Sequence, residues 1–298
     1  MFQSIIQDVR TEFQKGNTVT RLIFINLFVF ITLNLLYVFL HGTMPGIYTD
    51  IRNAFALSND WMHNLTHPWA WLTHMFVHDG FWHIVWNMLF LYWFGRIVGD
   101  LIGDHHILPL YLLGGIAGGF LFVMTSGFIV AEGMTTYAIG ASGATMAIVL
   151  AAGVISPNYA MRLILIGTVK LKYVVLAIVL LDVFRLAGDT NVGGHVAHLG
   201  GAAMGWFYVY GLRSGVELGA PIMRLQRSLM LLFRNQDQVN RDYSGSYSRP
   251  VSTSSYSPEP QDEAQDRIDA ILDKIRLKGI DSLTEEERNF LKEASENS

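Results

Sequence analysis

Long apolar runs separated by short polar connections dominate the first 212 residues of the chain. Leu22 to Leu40 is the clearest: it carries no charged residue and, as a helix, is long enough to cross about 30 Å of hydrocarbon. Further runs follow at roughly 81–99, 107–126, 141–156, 171–187 and 194–212, with ends placed to within about 2–4 residues. This pattern predicts an all-α fold, a polytopic membrane bundle of six transmembrane helices over residues 21–212. The fourth run is short for a full crossing, so other helices must surround it or it must meet a water-filled cavity. The connection 42–80 is long and contains Pro45, Pro68, Trp61, Trp69, Trp71 and several histidines. It is expected to have packed structure of its own at the interface, where Trp rings prefer to sit.

The flanks read differently. Residues 1–20 form a polar, partly amphipathic lead-in rather than a signal peptide, because no compact apolar stretch precedes a small-residue cleavage site. Residues 213–261 comprise a basic juxtamembrane stretch to Arg234 and a flexible Ser/Pro-rich linker at 242–261. Helical periodicity resumes in 262–298: Ile268, Ile271, Leu272 and Ile275 share a face, and Gly279 suits a helix stop. Ser282 to Glu285 and Thr284 to Glu287 both fit a capping box. This predicts a small acidic helical hairpin, a possible docking point for a cytoplasmic partner.

Composition supports the membrane reading, with 51% hydrophobic and 15% charged residues. Absence of cysteine excludes disulfides, thiolate metal sites and cysteine nucleophiles. The net charge of -4 averages two unlike regions: residues 1–234 carry 11 of the 25 acidic groups and the last 64 residues carry 14. No nucleic-acid partner is expected. Counting Lys and Arg in alternate connections places 11 on the side of the N-terminus and 2, Arg52 and Arg185, on the other. On that ratio both termini are expected to be cytoplasmic, with the chain a multi-pass protein of the cell (inner) membrane. The second, fourth and sixth runs then enter from the outer side, and their N-terminal ends share one depth.

Candidate chemistry gathers at that depth. Gly140-Ala141-Ser142-Gly143 sits where an outer loop becomes the fourth run. Alone the pattern is weak, since small residues are common where membrane helices pack. At a helix N-terminus, however, a serine has unpaired backbone N–H groups and a favourable dipole beside it, as an oxyanion requires. A serine also needs a base. His198 lies about one turn inside the sixth run, near the depth of Ser142, and Gly194, His198, Gly201 and Gly205 share one helix face by their spacing. Glycine there permits close approach of another helix. A lone histidine would more often bridge helices, but intramembrane ionisable groups are functional by default. His195 lies nearer the loop on a different face and is less suited. In the second run His83 and Asn87, four residues apart, can donate hydrogen bonds to an oxyanion.

These residues together resemble the rhomboid intramembrane proteases. The matching positions are Gly140, Ser142 and Gly143 of a GxSG motif, Ala197, His198, Gly201 and Gly205 of AHxxGxxxG, and His83 and Asn87 of HxxxN. The resemblance covers about residues 20–212. It implies a Ser142–His198 dyad without an acid, an oxyanion hole from His83, Asn87 and the Ser142 backbone, and no metal or cofactor. It further implies a hydrated cavity capped by the loop 188–193, and cleavage of single-span transmembrane protein substrates within the lipid bilayer near its outer face, entered between the second and fifth helices. Three positions depart from the family pattern: Met146 replaces an aromatic one turn after the nucleophile, the outer loop has no Trp-Arg pair, and Gly99 and Asp100 stand where a glutamate is often found.

Two other function classes compete. Histidines 74, 78, 83, 195 and 198 could supply metal ligands, but no HExxH pattern or nearby acidic partner accompanies them. A non-catalytic rhomboid-like protein that escorts membrane clients is the alternative, disfavoured by the presence of both Ser142 and His198. A triad with Asp182 is expected to be weaker, because Arg185 is placed to pair with that carboxylate.

Overall fold

The computed structural model describes residues 17–129, 133–163, 167–187 and 191–233, together with 271, 284–288 and 290. The chain divides into two compact units, Met1–Arg249 and Pro250–Ser298. Six helices of the first unit coincide with the six apolar runs: α1 (Thr18–His41), α5 (Phe81–Ile102), α6 (Ile107–Ile129), α7 (Ser142–Ile155), α8 (Leu171–Arg185) and α9 (Val192–Arg213). Among the described residues, Thr18–Leu40 and Asp104–Phe128 are long and apolar enough to cross a membrane, and Ser142–Ile155 is apolar but shorter. The fold is an all-α bundle.

The short helix α7 lies at its centre, with ten of its fourteen residues buried. Helix α9 packs most closely on α6 and α7, and the reason is in the sequence. A side chain at Gly201 would run into the Gly143 carbonyl, and one at Gly205 into that of Ala147. At Gly200 a Cβ would stand 2.8 Å from the Ala117 carbonyl, and at Gly118 it would stand 2.6 Å from that of Ala197. Three helices thus touch backbone to backbone, which only glycine allows. Gly194 differs from the expectation: the space beside it is filled by Asn191, whose side chain accepts a hydrogen bond from the Gly194 N–H at 3.2 Å. It belongs to the N-cap of α9, not to a helix interface, because the first turn lies before the point of crossing.

The connection after α1 is folded, as its composition predicted. It contains α2 (Pro45–Ala54), β1 (Leu57–Ser58), α3 (Trp61–Thr66), α4 (Ala70–Thr73) and a 3₁₀ turn at His74–Phe76. Buried Asn64 clamps β1, accepting from the Ser58 N–H at 2.9 Å and donating to its carbonyl at 2.7 Å. The Trp69 indole donates to the Ala54 carbonyl, and Arg52 pairs with Asp79. β1 pairs antiparallel with β2 (Tyr137–Ala138), Leu57 opposite Ala138. A second short ladder, β3 (Ala160–Leu163) with β4 (Gly167–Lys170), joins α7 to α8. Neither ladder was predicted, because two- to four-residue strands leave no periodicity to read.

The stretch after α9 adds an element that was not predicted. Ala220–Phe233, within the stretch read only as basic, forms a helix, α10. The linker at 242–261 lies outside the described residues. In the second unit, Thr284 and Glu287 form a reciprocal cap: the Thr284 N–H donates to Glu287 Oε2 at 2.8 Å, and the Glu287 N–H to Thr284 Oγ1 at 3.3 Å. The expected Ser282 cap and the rest of the hairpin lie outside the described residues.

Candidate active site

Ser142 opens α7, and the preceding turn is fixed from several directions. Gly140 takes φ 109°, a conformation that favours glycine. A Cβ there would also stand 2.5 Å from His83 Nε2, so the position must be glycine on two grounds. The Gly140 N–H donates to the His74 carbonyl at 2.9 Å, and the Ala141 N–H to His78 Nε2 at 3.2 Å. No side chain caps α7, and its first intrahelical bond is Thr145 N–H to the Ala141 carbonyl. The N–H groups of Ser142 and its followers are therefore not used by the helix.

His83, Asn87, Ser142 and His198 line one cavity of about 1220 Å³, together with Gly140, Gly143 and Met146. His83 and Asn87 project from one face of α5. One N–H of the Asn87 amide is committed to the His83 carbonyl at 2.8 Å, which leaves its second N–H available. Thr145 was missed by the sequence reading; its hydroxyl lies 3.0 Å from the Ser142 carbonyl and 3.4 Å from Asn87 Oδ1. His78, named from the sequence only as a possible metal ligand, accepts from the Ala141 N–H. Burial, aided by the neighbouring His83 ring, pushes its pKa down to about 3, so it stays neutral and can accept from Ala141. Neither residue has a local signal, since a Thr or His without a motif partner is legible only in three dimensions.

Asp182 requires a correction. The sequence reading paired it with Arg185, but Arg185 is exposed and Asp182 is buried. Asp182 Oδ1 instead lies 2.9 Å from His198 Nδ1 and 2.7 Å from His195 Nδ1. One carboxylate thus holds both rings, which stand edge to face at 5.6 Å. The i, i+3 spacing of the histidines lets them converge on a group from α8 despite their different faces. The ligand atoms of Asp182, His195 and His198 all lie within 4.8 Å of one another, so this trio also has the donor set for a divalent ion. Of the expected cap over the site, residues 188–190 lie outside the described residues, while Asn191, Val192 and Gly193 line the cavity.

The family model of the rhomboid domain matches residues 65–215, half of the chain and all of the site just described. The chain belongs to the rhomboid family. A rhomboid-like protein of Danio rerio, presenilin-associated rhomboid-like protein A, mitochondrial, is 32% identical over 139 residues, 46% of this chain and 36% of that one. RHOMBOID-like protein 12, mitochondrial, of Arabidopsis thaliana is 30% identical over 145 residues, 45% and 43% of the two chains. Rhomboid protein 1, mitochondrial, of Saccharomyces cerevisiae is 26% identical over 175 residues, 58% and 49%. The match to each covers less than half of that rhomboid relative's length. Residues 258–297 match a separate family of unknown function (DUF6576).

These names overturn the expected location in a cell membrane with cytoplasmic ends, since the rhomboid relatives matched are mitochondrial proteins. The error has a physical origin. A count of Lys and Arg bears on which loops cross a bilayer, and carries no information on which organelle supplies it.

Proposed function

We propose that the protein is an intramembrane serine endopeptidase that cleaves transmembrane protein substrates, with Ser142 as nucleophile and His198 as general base. The observation that carries this reading is the single cavity lined by Ser142, His198, His83 and Asn87, with the His198 ring tied through Nδ1 to Asp182. A carboxylate at Nδ1 holds the proton on that nitrogen and leaves the Nε2 lone pair for the serine hydroxyl. Ser142 Oγ attacks the scissile carbonyl carbon while its proton passes to His198. Negative charge moves to the carbonyl oxygen, where the Ser142 N–H, the His83 ring and the second Asn87 N–H can donate. Collapse of the adduct breaks the C–N bond, and His198 returns its proton to the leaving amine. Water then repeats the attack on the acyl-enzyme and frees Ser142.

Asp182 modifies the expected dyad: it orients and compensates the imidazolium without itself taking the proton. His195 shares the same carboxylate and acts as a brace. The test is incubation of purified protein with a labelled single-span substrate, comparing wild type with Ser142→Ala. Cleavage by wild type alone is expected. Full cleavage by purified Ser142→Ala would sink the proposal and favour the metal reading of Asp182, His195 and His198, which chelator sensitivity would then reveal.

A further inference from the structure

We propose that His105, His106 and Glu217 form a binding site for a divalent transition-metal ion of the zinc class, at the end of the bundle remote from Ser142. The two histidines lie on the turn Asp104–His106 that joins α5 to α6. Gly103 ahead of them takes φ 102°, and the tight turn brings the two imidazoles together with centroids 4.2 Å apart. Glu217 comes from the connection between α9 and α10. One ligand atom from each of the three lies within 4.8 Å of the others. Bonds of about 2.0–2.1 Å to a tetrahedral ion need a closer set than this limit, so binding would draw the three side chains together around the ion.

Proximity is not the only support. His106 is buried, and its Nδ1 lies 2.8 Å from the hydroxyl of the fully buried Tyr208. Metal-binding imidazoles are commonly oriented by such an outer partner, which fixes the ring before the ion arrives. The Glu217 connection is also held in place. Its backbone bonds Val216 N–H to the Gly211 carbonyl at 2.8 Å and Ala220 N–H to the Glu217 carbonyl at 3.0 Å. Gly219 packs so closely on Pro109 and Tyr208 that a Cβ would stand 2.8 Å from the Pro109 side chain. The backbone that carries Glu217 is therefore held against the start of α6, beside the histidine turn. Two imidazoles and one carboxylate suit zinc better than calcium or magnesium, which prefer oxygen alone, and leave a fourth position for water.

An ion here would staple the end of α5 to the end of α9. Those helices carry His83, Asn87 and His198, but the helix ends beside the site lie about 22–28 Å from them by helical rise. Binding should stabilise the fold without entering the chemistry.

The test uses the full chain in detergent, freed of any histidine tag, stripped with chelator and dialysed against Zn²⁺ or Co²⁺. One equivalent of Zn²⁺ is expected, with visible ligand-field absorption for Co²⁺ and a raised thermal midpoint. Glu217→Gln, a change at an exposed position, and His105→Ala should each weaken that equivalent at least tenfold while helical content is kept. Asp182→Asn, which breaks the other donor trio, should leave it intact. Retention of full affinity in both Glu217→Gln and His105→Ala, no bound ion at all, or loss confined to Asp182→Asn would each overturn the proposal.

Discussion

Helices α7 and α8 are nearly equal in length and both largely built of apolar residues, yet they lead opposite lives. Ten of fourteen residues of α7 are buried, against Leu171, Val175 and Asp182 of the fifteen in α8. The two differ in charge, with none in α7 and Lys172, Asp182 and Arg185 in α8, and also in side-chain size. α7 reads SGATMAIVLAAGVI, with small residues wherever α6 and α9 approach, whereas α8 reads LKYVVLAIVLLDVFR and presents bulk on most faces. In lipid, helix association rests on close packing, and small residues let the backbone of α7 meet those of its neighbours. α8 keeps its place at the edge, and its chief inward polar contribution is the Asp182 carboxylate.

The largest expected effect comes from the first residue of α7. Ser142→Ala, and likewise His198→Ala in the same cavity, should reduce cleavage by at least about 10⁴-fold with the fold intact, measured by turnover of a labelled substrate. Packing comes next. Gly201→Val sets a side chain against the Gly143 carbonyl, which belongs to rigid backbone and cannot yield. It should destabilise the bundle by about 3 kcal/mol or more in a denaturation series. By contrast Leu181→Ala on the exposed side of α8 should change stability by no more than about 0.5 kcal/mol. Equal losses in the two variants would erase the distinction between the helices.

The one buried charged group of α8 gives an intermediate case. Asp182→Asn should lower kcat by about 10- to 1000-fold with KM little changed, because it acts on His198 rather than on substrate. His83→Ala and Asn87→Ala should fall in the same range if each removes one proposed oxyanion donor and leaves the Ser142 N–H. Wild-type turnover in Asp182→Asn would return the site to a plain dyad.

The smallest expected effect is on pH. His78 is buried in its neutral form, with its pKa lowered to about 3 from the ordinary 6.5. The unfolded chain therefore binds the extra proton first, and stability due to this residue is full above about pH 6.5 and falls as pH drops towards 3. His78→Gln, which keeps an acceptor for the Ala141 N–H, should flatten that slope in thermal melts between pH 7 and 4.

The sequence alone determined the six helical runs, the short buried fourth among them, and the motif residues, because apolar length and glycine spacing are local properties that a membrane bundle must respect. It also marked Thr284 and Glu287 as a cap, since both partners lie within one turn. It could not show that Asp182 turns from Arg185 to His195 and His198, that Gly194 serves a cap instead of a crossing, or that His78 and Thr145 brace the Ser142 turn. Those contacts join residues 3 to 63 positions apart through side-chain direction and the depth at which helices cross. Only the tertiary structure decides such choices, because a carboxylate facing several possible partners pairs with those that packing brings within hydrogen-bond reach.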